Sequence, residues 1–127
     1  IKFFPRLMNG PDYFNIVGVS DVIIDTMHYS GGVNTISDAF ILGTPFITLP
    51  GKFQRGRYGY ASYTKIGVSE CLAKDEEDYI NIAIKIANDR DYRDFIGNKI
   101  LQKSDILFED FNAVKEHEEL FCRLLEI

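Results

Sequence analysis

With 127 residues, 46% of them hydrophobic and 26% charged, the chain has the length and make-up of one soluble globular domain able to bury a core. A net charge of −5 excludes the global basic field that would hold nucleic acid, so no nucleic-acid partner is expected. Cys71 and Cys122 match no metal-ligand spacing and read as reduced thiols, and no apolar run approaches the roughly 20 residues of a membrane span.

Nothing resembles a signal peptide, so a cytoplasmic setting is the expectation. The chain opens at Ile1 on IKFF, which reads as a strand already under way. Residues 1–127 are therefore expected to form one domain that is a fragment, or the C-terminal part, of a longer protein.

In chain order, Ile1 to Phe4 is a predicted strand closed by Pro5, and Asp12 to Val19 a short helix with Phe14, Ile16 and Val17 facing inward. Asp21 to Asp25 is apolar without alternation, the pattern of a parallel strand covered on both faces. A loop with Gly31 and Gly32 leads into a helix over Asn34 to Leu42. Gly43 stops that helix, and Pro45 follows. Phe46 to Leu49 is the next strand, Arg57 to Ile66 a helix ending at Gly67, and Glu70 to Ala73 a short edge strand.

The remainder reads as helical. Asp75 is placed to cap a helix whose first turn carries Glu76, Glu77 and Asp78, complementing the helix dipole. Tyr79, Ile82, Ala83 and Ile86 recur at helical spacing, as do Tyr92, Phe95, Ile96 and Ile100. Ile106, Leu107 and Phe108 lie in a predicted hydrophobic loop, and Val114, Phe121, Leu124 and Leu125 mark a last helix. Strand alternating with helix points to an α/β fold, a Rossmann-like parallel sheet flanked by helices with extra helices at the C-terminal end. Ligands of such sheets bind beyond the carboxyl ends of the strands. The Gly31-Gly32 loop and the Pro50–Tyr58 loop should therefore open on one crevice.

A strand, a glycine loop and a helix N-terminus make a seat for phosphate. The first turn offers unbonded N–H groups and the positive end of the dipole, and glycine lets the backbone come close. At that helix start stand Asn34 and Thr35. Asp38 follows at spacings of four and three and so shares their face. Asn34 and Thr35 can donate to phosphate and Asp38 can accept from a ribose hydroxyl pair. Alternatively, Asn34 or Thr35 merely caps the helix and Asp38 only favours its dipole. Lys52, Arg55 and Arg57 cluster in the next loop, where Arg57 has the fork to grip a diphosphate; a solvated basic loop is the competing reading. His28 follows the first of these strands as a weak general acid/base candidate or a structural histidine, and His117 reads as structural or surface. Asp25 is placed to bond the glycine loop's N–H groups in support. Tyr58, Tyr60 and Tyr63 fall on the predicted helix, where Tyr60 and Tyr63 read mainly as core or interdomain packing, with a stacking role for one of them as the alternative. No Walker A pattern, GxGxxG fingerprint, GxSxG elbow or metal cluster is present.

The run DVIIDTMHYSGGVNTISDAFILGTPFITLPG, with RGRYGYASYTKIGVSECLAKDEEDYINIAIKIANDRDYR after it, resembles the C-terminal half of O-linked N-acetylglucosamine transferase-like glycosyltransferases of family 41, in their bacterial version. The resemblance covers nearly the whole chain. It implies the GT-B fold, with this chain as the donor-binding domain of a longer enzyme whose acceptor-binding N-terminal half, and often tetratricopeptide repeats, lie elsewhere. It implies a UDP-sugar donor, held at the diphosphate by Gly31, Gly32, Asn34 and Thr35 and at the ribose by Asp38, with Arg57 matching an arginine of the family's loop. Val33, also at the donor site, stands where the animal pattern has a histidine that stacks on uracil, and it cannot stack or hydrogen-bond in that way. The Gly-Gly and Asn-Thr version resembles bacterial members, whose sugar and acceptor are less uniform, so N-acetylglucosamine is one candidate sugar rather than a given.

The resemblance further implies sugar transfer to a protein Ser/Thr or to a glycan, with no metal and no cofactor beyond the donor. Helix N–H groups, Asn, Thr and a cation would then stabilise the leaving diphosphate. Acceptor binding and any base would belong to the facing half, so this stretch alone is expected to bind donor rather than catalyse. Two other readings stand beside it: a GT-B-like UDP-sugar epimerase, which needs a carboxylate and histidine set, and a non-catalytic nucleotide-sensing or interaction module.

Overall fold

A computed structural model describes residues 1, 3–4 and 10–125. Within them the order is α1 (Gly10–Val19), β1 (Ile23–Ile24), α2 (Gly32–Ile41), β2 (Phe46–Ile47), a 3-10 turn (Gln54–Gly56), α3 (Tyr58–Ile66), α4 (Glu76–Asn88), α5 (Arg90–Lys103), α6 (Asp105–Phe108) and α7 (Phe111–Leu125).

β1 and β2 pair in parallel, Ile23 opposite Phe46 and Ile24 opposite Ile47. A further parallel bridge joins Thr48 to Leu72, with Thr48 N–H bonded to the Cys71 carbonyl and Ala73 N–H to the Thr48 carbonyl. The expected edge strand over Glu70 to Ala73 is thus reduced to one bridge. A parallel pair needs a crossover, and α2 supplies it between β1 and β2.

The core lies where α2, α3, α4 and α5 close on β2. Ile36, Ala39 and Phe40 of α2 meet Phe46 and Ile47, with Tyr63 and Ile66 from α3, Ile86 from α4, and Ile96 and Ile100 from α5. The Phe40 and Tyr63 rings sit 4.7 Å apart between centroids. The Tyr63 hydroxyl does not stay unpaired in this apolar setting: it accepts the Phe46 N–H at 3.0 Å.

Local chemistry sets the element ends. Gly67 adopts φ +64°, the left-handed cap that closes α3 by donating to the carbonyls of Tyr63 and Thr64. Asp75 caps α4 as expected, its carboxylate accepting the Asp78 N–H at 2.8 Å. Asp89 does the same for α5 through Tyr92 N–H.

Four expectations are corrected. Ile1, Phe3 and Phe4 lie in no strand and are exposed, so they have no ladder to join; Lys2 and Pro5 of that expected strand fall outside the described residues. β1 is not covered on both faces: Ile24 is 58% exposed, because β1 pairs with β2 alone among the described residues. Phe14 and Phe95, expected inside, are exposed, while their neighbours Val17 and Ile96 take the buried positions. The expected loop at Ile106–Phe108 is the helix α6. Ser104 keeps helical angles and accepts the Leu107 N–H at 2.8 Å, so the chain turns without leaving the helical region.

Candidate functional site: a glycine loop and the start of α2

The carboxyl ends of β1 and β2 carry the two loops expected to share a crevice, and they do. Ser30 N–H donates to the Arg55 carbonyl at 2.9 Å, and a Cβ on Gly56 would lie 3.4 Å from the His28 carbonyl. The second loop is tightened by the Gly51 N–H on the Gly56 carbonyl at 2.8 Å and the Gly56 N–H on the Phe53 carbonyl at 2.9 Å.

Between the loops opens a hollow of about 410 Å³, lined by Tyr29, Ser30, Gly31, Gly32, Val33, Asn34 and Tyr58. Gly32 turns at φ +85°, a conformation that favours glycine, and there the chain enters α2. The residue capping α2 is Gly31, so no side chain folds over the helix start. The Gly31 N–H goes instead to Asp25 Oδ1 at 2.8 Å, and the Gly32 N–H makes a long contact with Ser30 Oγ at 3.4 Å. The amides of Val33 and Asn34, next in the first turn, have no intrahelical partner at that place in a helix, and both residues line the hollow. The expected support from Asp25 is therefore present.

Of the sequence-selected residues, Gly31, Gly32, Val33 and Asn34 line the hollow. Neither Asn34 nor Thr35 caps α2, because the helix starts at Gly32, before both. The Thr35 hydroxyl donates to the Gly31 carbonyl at 2.9 Å and braces the turn from inside. Asp38 lies one turn on, half-buried and facing Tyr13 of α1; burial first, and then this carboxylate, push the Tyr13 phenol above its ordinary range.

The cations stand back from the hollow. Arg57 donates from Nη1 to the Gly51 carbonyl at 3.1 Å, and its guanidinium lies 4.4 Å from the Tyr60 ring centroid. Arg55 covers the Phe53 ring, and Lys52 is exposed. His28 holds φ +70° on the exposed loop and does not line the hollow. His117 is exposed on α7, bonded through Nδ1 to the Ala113 carbonyl.

Tyr29, Ser30 and Tyr58 line the hollow without having been singled out as ligand-facing. The signal available for Tyr29 was an aromatic residue in the loop after a strand's carboxyl end. Tyr79, read from its spacing as core, also donates its hydroxyl to the Asp25 carbonyl at 2.5 Å. Burial, and then the Asp25 charge, push its phenol up to about 12.

The model of glycosyl transferase family 41 matches residues 15–116. A probable UDP-N-acetylglucosamine–peptide N-acetylglucosaminyltransferase, SPINDLY, from Arabidopsis thaliana is 25% identical over 70% of this chain and 10% of its own length. The UDP-N-acetylglucosamine–peptide N-acetylglucosaminyltransferase of Caenorhabditis elegans is 31% identical over 84% of this chain, and the match spans 9% of that protein. A solved structure of Thermobaculum terrenum O-GlcNAc transferase, its K341M mutant, superposes with a TM-score of 0.79 at 25% identity, over 91% of this chain and 22% of its own. The fold is thus the Rossmann-like α/β arrangement found in that transferase, and the chain spans only a small part of the relatives that it matches. No helix among the described residues is long and apolar enough to cross a membrane. With its family match running through both loops of the hollow and all of α2, the chain belongs to glycosyl transferase family 41.

Proposed function

We propose that this chain is the donor-binding half of a glycosyltransferase that moves a sugar from UDP to a Ser/Thr hydroxyl of a protein, or to a glycan. The observation that carries the proposal is the start of α2. A glycine cap leaves it without a side-chain lid, its first-turn amides border an open hollow, and Asn34 stands at the rim. The names of the Arabidopsis and nematode relatives favour N-acetylglucosamine as the sugar and a peptide as the acceptor.

In such a transfer the acceptor oxygen bonds to the anomeric carbon, the bond from that carbon to the diphosphate oxygen breaks, and the acceptor proton passes to a base. Negative charge grows on the leaving UDP. The amides of Val33 and Asn34, the Asn34 side chain and the dipole of α2 would stabilise that charge, and they are fixed before the reaction begins. Asp38, on the same helix, would take the ribose, with Tyr13 as its neighbour from α1. Arg57 would act by holding the Gly51 loop rather than by touching the diphosphate, unless it gives up the Gly51 carbonyl. The acceptor site and the base would come from the facing half of the enzyme, where tetratricopeptide repeats would present the acceptor.

The epimerase reading gains no support from His28, which lies off the hollow. Calorimetric titration of UDP into the chain tests the proposal, with Asn34→Ala plus Asp38→Ala as the control. Binding that the control loses is the expected result. No binding by the folded wild-type chain, and none by a longer protein containing it, would overturn the reading.

A further inference from the structure

Asp25 is a buried carboxylate, 6% exposed, that no ion pair reaches among the described residues. Such a charge is costly to bury unless hydrogen bonds meet it. Here two hydrogen bonds meet it: Oδ1 accepts the Gly31 N–H at 2.8 Å and Oδ2 accepts the Thr48 hydroxyl at 2.7 Å. A third bond, from the Tyr79 hydroxyl at 2.5 Å, holds the backbone carbonyl of Asp25. Thr48 is itself buried and wedged in place, because α3 comes so close that a Cβ on Gly59 would stand 2.8 Å from Thr48 Cγ2. The Thr48 backbone is bonded on both sides of its peptide, to Cys71 and Ala73.

The anchor has a consequence at the hollow. Gly31 has no side chain with which to hold the start of α2, and a turn through two glycines has more backbone freedom than one built of residues with a Cβ. The one strong bond on this turn's amides is that to Asp25, since the Gly32 contact to Ser30 Oγ is long. Asp25 thus uses the amide facing the protein interior and leaves those of Val33 and Asn34 for an anion on the outer side.

We infer that Asp25, locked by Thr48 and Tyr79, is a positioning residue for the donor's diphosphate: it sets the Gly31-Gly32 turn in the form that presents the first amides of α2. The inference rests on the donor-binding reading above. It assigns to the rear of the hollow a role that none of the residues facing the ligand performs.

The test measures two things on the full chain, wild type against Asp25→Asn, Thr48→Val and Tyr79→Phe. The first is UDP affinity by calorimetry. The second is amide hydrogen exchange at Gly31 by NMR, with Phe40 and Ile96 as core references. Asn replaces one acceptor oxygen by a donor at constant shape, and Val removes the Thr48 donor at constant volume. Asp25→Asn should weaken UDP about tenfold and Thr48→Val about three- to tenfold, by the worth of charge-assisted hydrogen bonds. Gly31 exchange should quicken by at least as much, roughly, with Phe40 and Ile96 unchanged. Tyr79→Phe, which frees only the backbone carbonyl, should act in the same direction and more weakly.

Wild-type affinity in both Asp25→Asn and Thr48→Val would overturn the inference while leaving the donor site standing. So would Gly31 exchange that does not change, or that rises no more than exchange at Phe40 and Ile96, since that is a loss of global stability. No UDP binding by the wild-type chain with a protected Gly31 amide, and none by a longer protein containing it, would instead remove the donor reading and the inference with it.

Discussion

Cys71 and Cys122 look alike in sequence and differ entirely in place. Cys71 lies fully buried beside Tyr63, and burial pushes its thiol up to about 12, so the reactive thiolate is scarce at neutral pH. Cys122 is exposed on α7. A thiol reagent at neutral pH should therefore label one cysteine in the native chain and two after unfolding; native labelling of Cys71 would contradict the packing. Glu70 gives a pH signature. Burial raises its carboxyl pKa, but the bond from Lys99 and the amides of Ser69 and Glu70 outweigh that and hold it below the usual value. A depressed carboxyl stabilises the fold above its unfolded pKa and loses that contribution as pH falls through the folded one. Stability should thus fall as pH drops through and below the ordinary carboxyl value of 4.5, and Glu70→Gln should flatten that slope in denaturation curves taken across the window. Neither feature was legible in sequence, because both depend on which side chains the bridge at Leu72 and helix α5 bring together.

At the scale of elements, periodicity and capping chemistry were enough for most helices. Asp75, with its acidic first turn, marks the start of α4, and the structure shows the bond that does it. Asp75→Ala should cost about 1 kcal/mol in chemical denaturation without moving the site. The contact of α5 with the end of α2 had no such signature. A Cβ at Gly97 would lie 2.6 Å from the Gly43 carbonyl, so α5 packs against backbone rather than side chain there. Gly97→Ala should destabilise the chain by about 1–3 kcal/mol, read from the same denaturation curves, because backbone has to shift. If the variant melts like wild type, that contact is looser than it stands here. The sequence misjudged α6 for a related reason: a short apolar run carries no period, and only the turn at Ser104, which keeps helical angles after α5, decides that it coils.

Across the whole molecule, the core holds together without α7. That helix buries none of its residues, and Phe111, Phe121, Leu124 and Leu125 all stand exposed along it. Its root is tied by the ion pair between Lys65 and Asp110. Removing residues 111–125 should leave the melting temperature within a few degrees of the intact chain and lower the binding of a hydrophobic dye; a collapse of the melting transition would contradict this account. The sequence by itself determined the alternation of strand and helix, the glycine loop before α2, and the family. Those follow from local spacing, from the backbone freedom of glycine and from the order of short motifs, all of which lie along the chain. It also brought Gly31, Gly32, Val33 and Asn34 together at the turn that lines the hollow, since a strand end and a helix start are adjacent in sequence. Tertiary structure alone decided the rest. Arg57 turned to the Gly51 carbonyl and the Tyr60 ring, Tyr29 and Tyr58 came to the rim, and Asp25 was joined to Thr48 and Tyr79 from 23 and 54 residues away. A hydrogen bond over such separations exists only once the core has brought its partners within 3 Å or so, and no spacing rule encodes that approach.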